Sequence, residues 1–169
     1  KADLESGREA IAPNGAAMMI TNPNTLGIFE SGIGEISSLL HEAGALLYMD
    51  GANMNAILGI TRPGDFGVDV MHYNLHKTMS TPHGGGGPGA GPIAVTGELE
   101  PYLPVPKIVR SEDGFELCAD RPPTIATVRT FLANSPTLRM AYAYLPAPRP
   151  PAPPRALDHA VPHPTHPPP

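Results

Sequence analysis

The sequence predicts an α/β fold in which a mostly parallel sheet carries helices on both faces. Two short apolar runs, "AAMMIT" (16–21) and "ALLYMD" (45–50), each end at polar residues, as buried strands do. An amphipathic stretch, "IGEISSLLHEAG" (33–44), separates them. The order strand, helix, strand predicts a right-handed crossover between parallel strands.

The stretch 33–44 is predicted to be helical because its apolar residues recur at three- and four-residue spacing. This spacing gives a helix one apolar stripe that can lie on a sheet. Gly44 is a typical residue just past the end of a helix. The stripe consists of Ile33, Ile36, Leu39, Leu40 and Ala43.

Two more strands are predicted from "VDVMHYNL" (68–75) and "GPIAVT" (91–96), joined by a glycine-rich loop. Residues 97–123 contain charged residues and prolines without the regular apolar spacing of a helix or a strand. Apolar residues between 124 and 145 allow one or two helices, interrupted at Pro136.

The composition divides the chain into a domain, residues 1–145, and a tail, residues 146–169. The tail, "PAPRPPAPPRALDHAVPHPTHPPP", has many of the chain's 23 prolines and little apolar material to bury, so we expect it to be disordered. A proline-rich ligand for an SH3-like groove is the alternative. The absence of Met at position 1 suggests that the chain begins inside a longer protein.

Charge and composition exclude several classes of function. A net charge of −5 without a run of Lys or Arg argues against binding to nucleic acid or to an anionic membrane surface. The chain has no apolar stretch long enough for a spanning helix. The single cysteine, Cys118, excludes an internal disulfide, so a reducing compartment is expected. It has no nearby His or CxxC partner, so we expect a buried or idle thiol.

Three polar features follow the predicted strands directly: Thr21 and Asn22 after the first, Asp50 after the second, and His76 with Lys77 after the third. In an open parallel sheet, ligands bind outside the carboxyl ends of the strands. We therefore expect these residues to share a crevice. A structural ion pair between Asp50 and Lys77 is the alternative.

A lysine and a carboxylate at one crevice are the groups that pyridoxal phosphate requires. Lysine forms imines with aldehydes once its amine is deprotonated. An aspartate can keep a pyridine nitrogen protonated, because an opposite charge nearby favours the charged form of both groups. Lys77 and Asp50 could fill these two roles.

The strings "MMITNPNTLGIFE", "LLYMDGANMNAILG" and "DVMHYNLHKTMSTPHGGGGPGAGPIAV" resemble the pyridoxal-phosphate-dependent glycine decarboxylase family, the P-protein of the glycine cleavage system. The likeness is strongest to the C-terminal subunit of organisms that divide this protein in two. It runs from about residue 3 to about residue 145. The resemblance implies part of the large domain of the aspartate-aminotransferase type, which is fold type I of the pyridoxal-phosphate enzymes.

The resemblance also implies roles for individual residues. Lys77 matches the Schiff-base lysine and Asp50 matches the partner of the ring nitrogen. Ala52 falls where this fold presents a small side chain to the ring. His76 matches the histidine of the family's His-Lys pair, with a contact to the cofactor or a part in proton transfer.

Thr21 and Asn22 match a turn on the substrate side of the family's site, and a simple strand-terminating turn is the alternative. No phosphate-binding turn is recognised upstream of residue 16. In the family, the phosphate turn and the histidine that stacks on the ring lie earlier in the chain.

The partners implied by the resemblance are glycine, the lipoylated H-protein and a P-protein subunit of the N-terminal type, in a homo- or hetero-oligomer. The implied location is the cytoplasm of a bacterium or archaeon, or the mitochondrion of a eukaryote. Two alternatives stay open. One is another fold type I decarboxylase or desulfurase, and the other is a truncated, catalytically incompetent chain that acts at most as an interaction module.

The glycines and histidines of the loop allow other interpretations. A nucleotide-binding P-loop needs GxxxxGK[ST], whereas here Lys77 and Thr78 precede the glycines. A metal site from His72, His76 and His83 lacks the spacing of known motifs, so no metal is predicted.

Overall fold

The computed structural model describes residues 11, 15–85, 89–129 and 133–145. In these ranges a four-stranded sheet consists of β1 (Ala17–Thr21), β2 (Leu46–Asp50), β3 (Val70–His72) and β4 (Ile93–Val95), in that order. A separate hairpin consists of β5 (Lys107–Ser111) and β6 (Gly114–Cys118). The helices are α1 (Ile33–Glu42), α2 (Leu75–Thr78) and α3 (Ser135–Tyr144), with 3-10 turns at Pro63–Phe66 and Glu100–Tyr102.

The first three strands of the sheet are parallel, as the sequence predicts. Thr21 is paired with Asp50 across β1 and β2, and Asp50 is paired with His72 across β2 and β3. These three residues are the last of their strands. Their carboxyl ends therefore form one row, which brings the turns that follow them to the same edge of the sheet.

One face of β2 is packed against α1. Leu47 and Met49 are fully buried in a core that includes Ile36 and Leu40 of the helix. The alternate residues of the strand, among them Tyr48, are only half-buried. Because side chains alternate along a strand, Tyr48 and Asp50 lie on the face opposite α1. Coverage of that opposite face by a helix stays a prediction.

Two predicted strands differ from the observed ones. β3 is shorter than the predicted 68–75, because the backbone turns helical at Leu75 to form α2. β4 is antiparallel to β3, with Val70 opposite Val95, so the sheet is mixed. The apolar pattern of 91–96 cannot distinguish the two directions, because both orientations bury the same residues.

The C-terminal part of the described chain also differs from the prediction. Pro136 does not interrupt a helix but lies in the first turn of α3, where its missing N–H costs nothing. The side chain of Asn134 caps this helix by accepting a hydrogen bond from the N–H of Thr137. Residues 125–129 are not helical, and Val105 forms an isolated parallel bridge to Thr127.

The hairpin β5–β6 was not predicted from sequence. Its strands are joined by the two residues Glu112 and Asp113, and Gly114 then adopts a positive φ of 130°. Its outer face leaves Ile108, Phe115 and Leu117 exposed. The sequence does contain a local signal for this hairpin, namely a turn flanked by apolar residues.

The proposed division at residue 145 stays a prediction, since 146–169 lie outside the described residues, as do 86–88 of the glycine loop. No helix in the described ranges is both long enough and apolar enough to cross a membrane.

Candidate active site

A cavity of about 500 Å³ lies at the carboxyl ends of β1 and β2. Thr21, Asp50, Ala52 and Lys77 all line it. Its volume falls within the range of about 300 to 1,000 Å³ that is typical of small-molecule sites. Four of the six sequence-predicted site residues thus converge, as the topology of a parallel sheet requires.

Asp50 is held in place by the turn that follows β2. Its Oδ1 accepts a 2.9 Å hydrogen bond from the backbone N–H of Ala52, which is a local Asx turn. The same oxygen lies 3.3 Å from Nε2 of His72 on the neighbouring strand. The carboxylate therefore has a fixed orientation at the edge of the cavity.

Gly51 allows this turn to approach β3 closely. Its backbone N–H donates to the carbonyl oxygen of His72 at 3.1 Å. A Cβ at this position would lie 2.9 Å from the same oxygen and would also clash with the side chain of Met71. Only glycine fits here without a shift of the backbone between Asp50 and Ala52.

Lys77 lies on α2, a single helical turn that directly follows β3. It is exposed, and its side chain lines the cavity. The helix is tied to the turn after β2 by two hydrogen bonds. Asn74 N–H donates to Ala52 O at 3.2 Å, and Met54 N–H donates to Thr78 Oγ1 at 2.9 Å. These bonds fix the helix that carries the amine relative to the turn that orients Asp50.

Thr21 and Asn22 occupy different positions although they are adjacent. Thr21 lines the cavity, whereas Asn22 is not among the lining residues and is 2% exposed. The Asn22 amide binds the backbone of Glu30: Oδ1 accepts from its N–H at 2.9 Å, and Nδ2 donates to its carbonyl at 3.5 Å. Asn22 thus shapes the loop that forms one wall of the cavity.

His76 is next to Lys77 but does not line the cavity. Its ring contacts that of His83 edge to face, with centroids 4.4 Å apart, and its Nε2 lies 3.1 Å from Nδ2 of Asn74. Partial desolvation lowers the pKa of His76, and the nearby charges of His83 and Lys77 lower it further. The predicted role of His76 at the cofactor therefore stays a prediction.

The three histidines considered for a metal site do not cluster. His72 is bound to Asp50 and to Tyr48, while His76 and His83 pair with each other. Across the part of the chain that the structure describes, no three His, Cys, Asp or Glu side chains converge to hold a metal ion.

Several lining residues were missed by sequence reasoning, namely Asn24, Thr25, Asn53 and Asn55. They belong to the two turns after β1 and β2, "NPNT" and "ANMN". Turns at the carboxyl ends of adjacent parallel strands share a crevice, and this signal could have identified them. The contacts of His72 with Asp50 were also missed, since they depend on strand register.

The residues present fit pyridoxal phosphate. An exposed primary amine, a carboxylate with fixed orientation and a small side chain line one cavity. These are the groups that bind the aldehyde, the ring nitrogen and the ring face of that cofactor.

The chain is similar in sequence to curated bacterial proteins. It is 56% identical over 145 residues to the "Probable glycine dehydrogenase (decarboxylating) subunit 2" of Methylococcus capsulatus, which is 85% of this chain and 30% of the relative. It is 57% identical over 143 residues to a protein of the same name from Thermus thermophilus, with the same coverage. The chain thus spans about 30% of the length of these relatives. No protein-family model matches it.

Solved structures share the fold. A cysteine desulfurase from Escherichia coli aligns with a TM-score of 0.54 and 22% identity, over 85% of this chain and 35% of that one. A sphingosine-1-phosphate lyase from Burkholderia pseudomallei aligns with a TM-score of 0.55 and 17% identity, over 92% and 35%. The α/β fold predicted from the resemblance, that of fold type I, is confirmed. Over 85% of its length, the chain is thus homologous to one part of the proteins named glycine dehydrogenase (decarboxylating) subunit 2.

Proposed function

We propose that this chain contributes the lysine-bearing part of the active site of a glycine dehydrogenase. In the reaction, pyridoxal phosphate supports the decarboxylation of glycine and the aminomethyl group passes to the lipoyl arm of the H-protein. The observation that carries the proposal is the convergence of Lys77, Asp50 and Ala52 on one cavity. The similarity of the chain to glycine dehydrogenase (decarboxylating) subunit 2 supports it.

Pyridoxal phosphate, when bound, accepts the electron pair that glycine's α-carbon retains as carbon dioxide leaves. The amine of Lys77 would bind the cofactor's aldehyde carbon and so hold it in the cavity. Lys77 is well placed for this because its helix is tied to the turn after β2.

Asp50 would hold a proton on the ring nitrogen. Its carboxylate is oriented by the N–H of Ala52, and a negative charge at this point stabilises the positive ring nitrogen. Ala52 would leave room for the flat ring, because a larger side chain at this lining position would fill the cavity.

We assign Thr21 to a direct contact with the ligand and Asn22 to the support of the loop that carries it. Thr21 lines the cavity, while the Asn22 amide is occupied by the backbone of Glu30. His76 would act on Lys77 through α2, since its ring packs against His83 rather than into the cavity.

The proposed protein partners are the lipoylated H-protein and a subunit of the N-terminal P-protein type, in a hetero-oligomer. The relatives' name, "subunit 2", supports a partner subunit. The loop beside the cavity supports a contact there, since Leu26 is 83% exposed and Ile28 is 58% exposed next to the lining residue Gly27. We propose a cytoplasmic location on the basis of the bacterial relatives.

Spectral titration with pyridoxal phosphate tests the cofactor part of the proposal. The chain is expected to gain the visible absorbance band of a lysine-bound cofactor, and Lys77→Ala is expected to lose it. Lys107→Ala is the matched control, because Lys107 lies on β5 and pairs with Glu100 away from the cavity. A band that persists in Lys77→Ala would refute the role of this lysine.

The reaction is tested by the exchange of labelled bicarbonate into glycine, with lipoylated H-protein and the N-terminal-type subunit present. The proposal predicts exchange that requires glycine, the H-protein and Lys77. Exchange supported equally by Lys77→Ala would exclude it.

A further inference from the structure

Tyr48, Asp50 and His72 lie together on the sheet face opposite α1. Tyr48 and Asp50 are two residues apart on β2, so their side chains point to the same face. His72 of β3 is directly in register with Asp50. All three are half-buried.

A hydrogen bond from Tyr48 to His72 and a close polar contact from His72 to Asp50 join these side chains into a chain that ends at the cavity. Tyr48 Oη lies 2.8 Å from Nδ1 of His72, and Nε2 of His72 lies 3.3 Å from Oδ1 of Asp50. The N–H of Ala52 donates to the same Oδ1. Among the residues that the structure describes, Oδ2 of Asp50 has no hydrogen-bond partner.

The chemistry of the partners fixes the position of the imidazole proton. A carboxylate accepts hydrogen bonds, so Nε2 of His72 must carry a proton to face Oδ1 of Asp50. The Tyr48 hydroxyl can then donate to the unprotonated Nδ1.

We propose that His72 and Tyr48 are positioning residues for Asp50. His72 and the N–H of Ala52 together hold Oδ1, which leaves Oδ2 for the ring nitrogen of the cofactor. Tyr48 holds His72 in the tautomer with its proton on Nε2. The assignment of Oδ2 to the ring nitrogen rests on the proposed function, whereas the chain of polar contacts from Tyr48 to Asp50 does not.

The tautomer of His72 can be measured in the cofactor-free chain. Long-range ¹H–¹⁵N spectra of ¹⁵N-histidine-labelled protein at neutral pH, with His72→Gln to assign the signal, show which nitrogen carries the proton. We expect the proton on Nε2 alone. Tyr48→Phe should shift the Nδ1 signal because this atom loses its donor. A proton on Nδ1, or an Nδ1 signal unchanged in Tyr48→Phe, would overturn the proposal.

The effect on Asp50 is measured with ring-¹⁵N-labelled pyridoxal phosphate. His72→Leu should weaken cofactor binding about tenfold, the loss expected for one hydrogen bond to a charged group. It should also move the ring nitrogen signal towards that of unprotonated pyridine. His72→Gln, which keeps an N–H donor, should restore both.

Binding and ring signal unchanged in His72→Leu would refute the positioning role. A wild-type chain that binds no pyridoxal phosphate would instead refute the proposed function. In that case the cofactor-free spectra by themselves test the contacts from Tyr48 through His72 to Asp50. Circular dichroism of each variant separates a local loss from unfolding.

Discussion

The backbone N–H of Met54 donates a hydrogen bond to Oγ1 of Thr78 at 2.9 Å. This bond connects the turn after β2 to the helix that carries Lys77, and Thr78 is the residue after that lysine. Lys77 and Asp50, the two residues proposed to hold the cofactor at its opposite ends, are thus positioned by this bond and by the backbone bond from Asn74 to Ala52.

Thr78→Val should destabilise the chain and weaken cofactor binding. Valine has the shape of threonine but no acceptor, and Thr78 is buried, so the N–H of Met54 loses its partner. We expect a loss of about 1 kcal/mol in the free energy of unfolding. Urea denaturation measures it. Thr78→Ser keeps the hydroxyl and should retain most of the stability, and an equal loss in both variants would contradict this role of the hydroxyl.

Gly51→Ala should destabilise the chain more than the small size of the added methyl group suggests. The added methyl group would lie 2.9 Å from the carbonyl oxygen of His72 and would clash with Met71. The carbonyl oxygen belongs to the backbone, which cannot move aside as a flexible side chain can. We therefore expect a loss of about 1 to 3 kcal/mol in the free energy of unfolding.

Gly34→Ala is the matched control for Gly51→Ala. Gly34 lies in α1, where an added Cβ meets no atom within 4 Å. Alanine is the better helix former, so this change should be neutral or stabilising by up to about 1 kcal/mol. The steric account fails if both substitutions have the same effect in urea denaturation.

His76 should titrate below its ordinary pKa of 6.5, because desolvation and the charges of His83 and Lys77 disfavour its protonated form. The unfolded chain then binds more protons than the folded chain between the lowered pKa and 6.5. Stability should therefore rise with pH across this window and fall as pH decreases through it.

An NMR titration of the His76 ring measures this pKa. His83→Gln removes one neighbouring charge and should raise the pKa of His76 towards its ordinary value, although desolvation, the larger cause, remains. A pKa of His76 at or above 6.5 in the wild-type chain would show that the pair is not arranged as described.

The positions of the strand ends were predictable, and with them most of the site. Apolar runs that end in Thr21 and Asp50 define buried parallel strands, and this topology brings their ends together. The lysine was predictable from the same topology and from the family resemblance. Helical spacing of apolar residues also predicted α1, and Ile33, Ile36 and Leu40 of its predicted stripe lie in the core. Of the other two stripe residues, Leu39 is half-buried and Ala43 is exposed.

Other features depend on pairings that a local pattern does not encode. The antiparallel direction of β4 and the pairing of Asp50 with His72 follow from register between segments more than 20 residues apart. Asn22 was expected at the ligand, but its amide binds a backbone eight residues away. Such contacts arise from tertiary structure rather than from propensity.

The most direct test of the central claim is chemical trapping of pyridoxal phosphate on the chain. After incubation with the cofactor and reduction with borohydride, peptide mass spectrometry locates the modified lysine. The account predicts the phosphopyridoxyl group on Lys77 in the wild-type chain. In Asp50→Asn, the fraction of Lys77 that carries this group should decrease strongly or fall to zero. Equal labelling of Lys77 and Lys107, or labelling of Lys107 alone, would contradict the assignment of this cavity as the cofactor site.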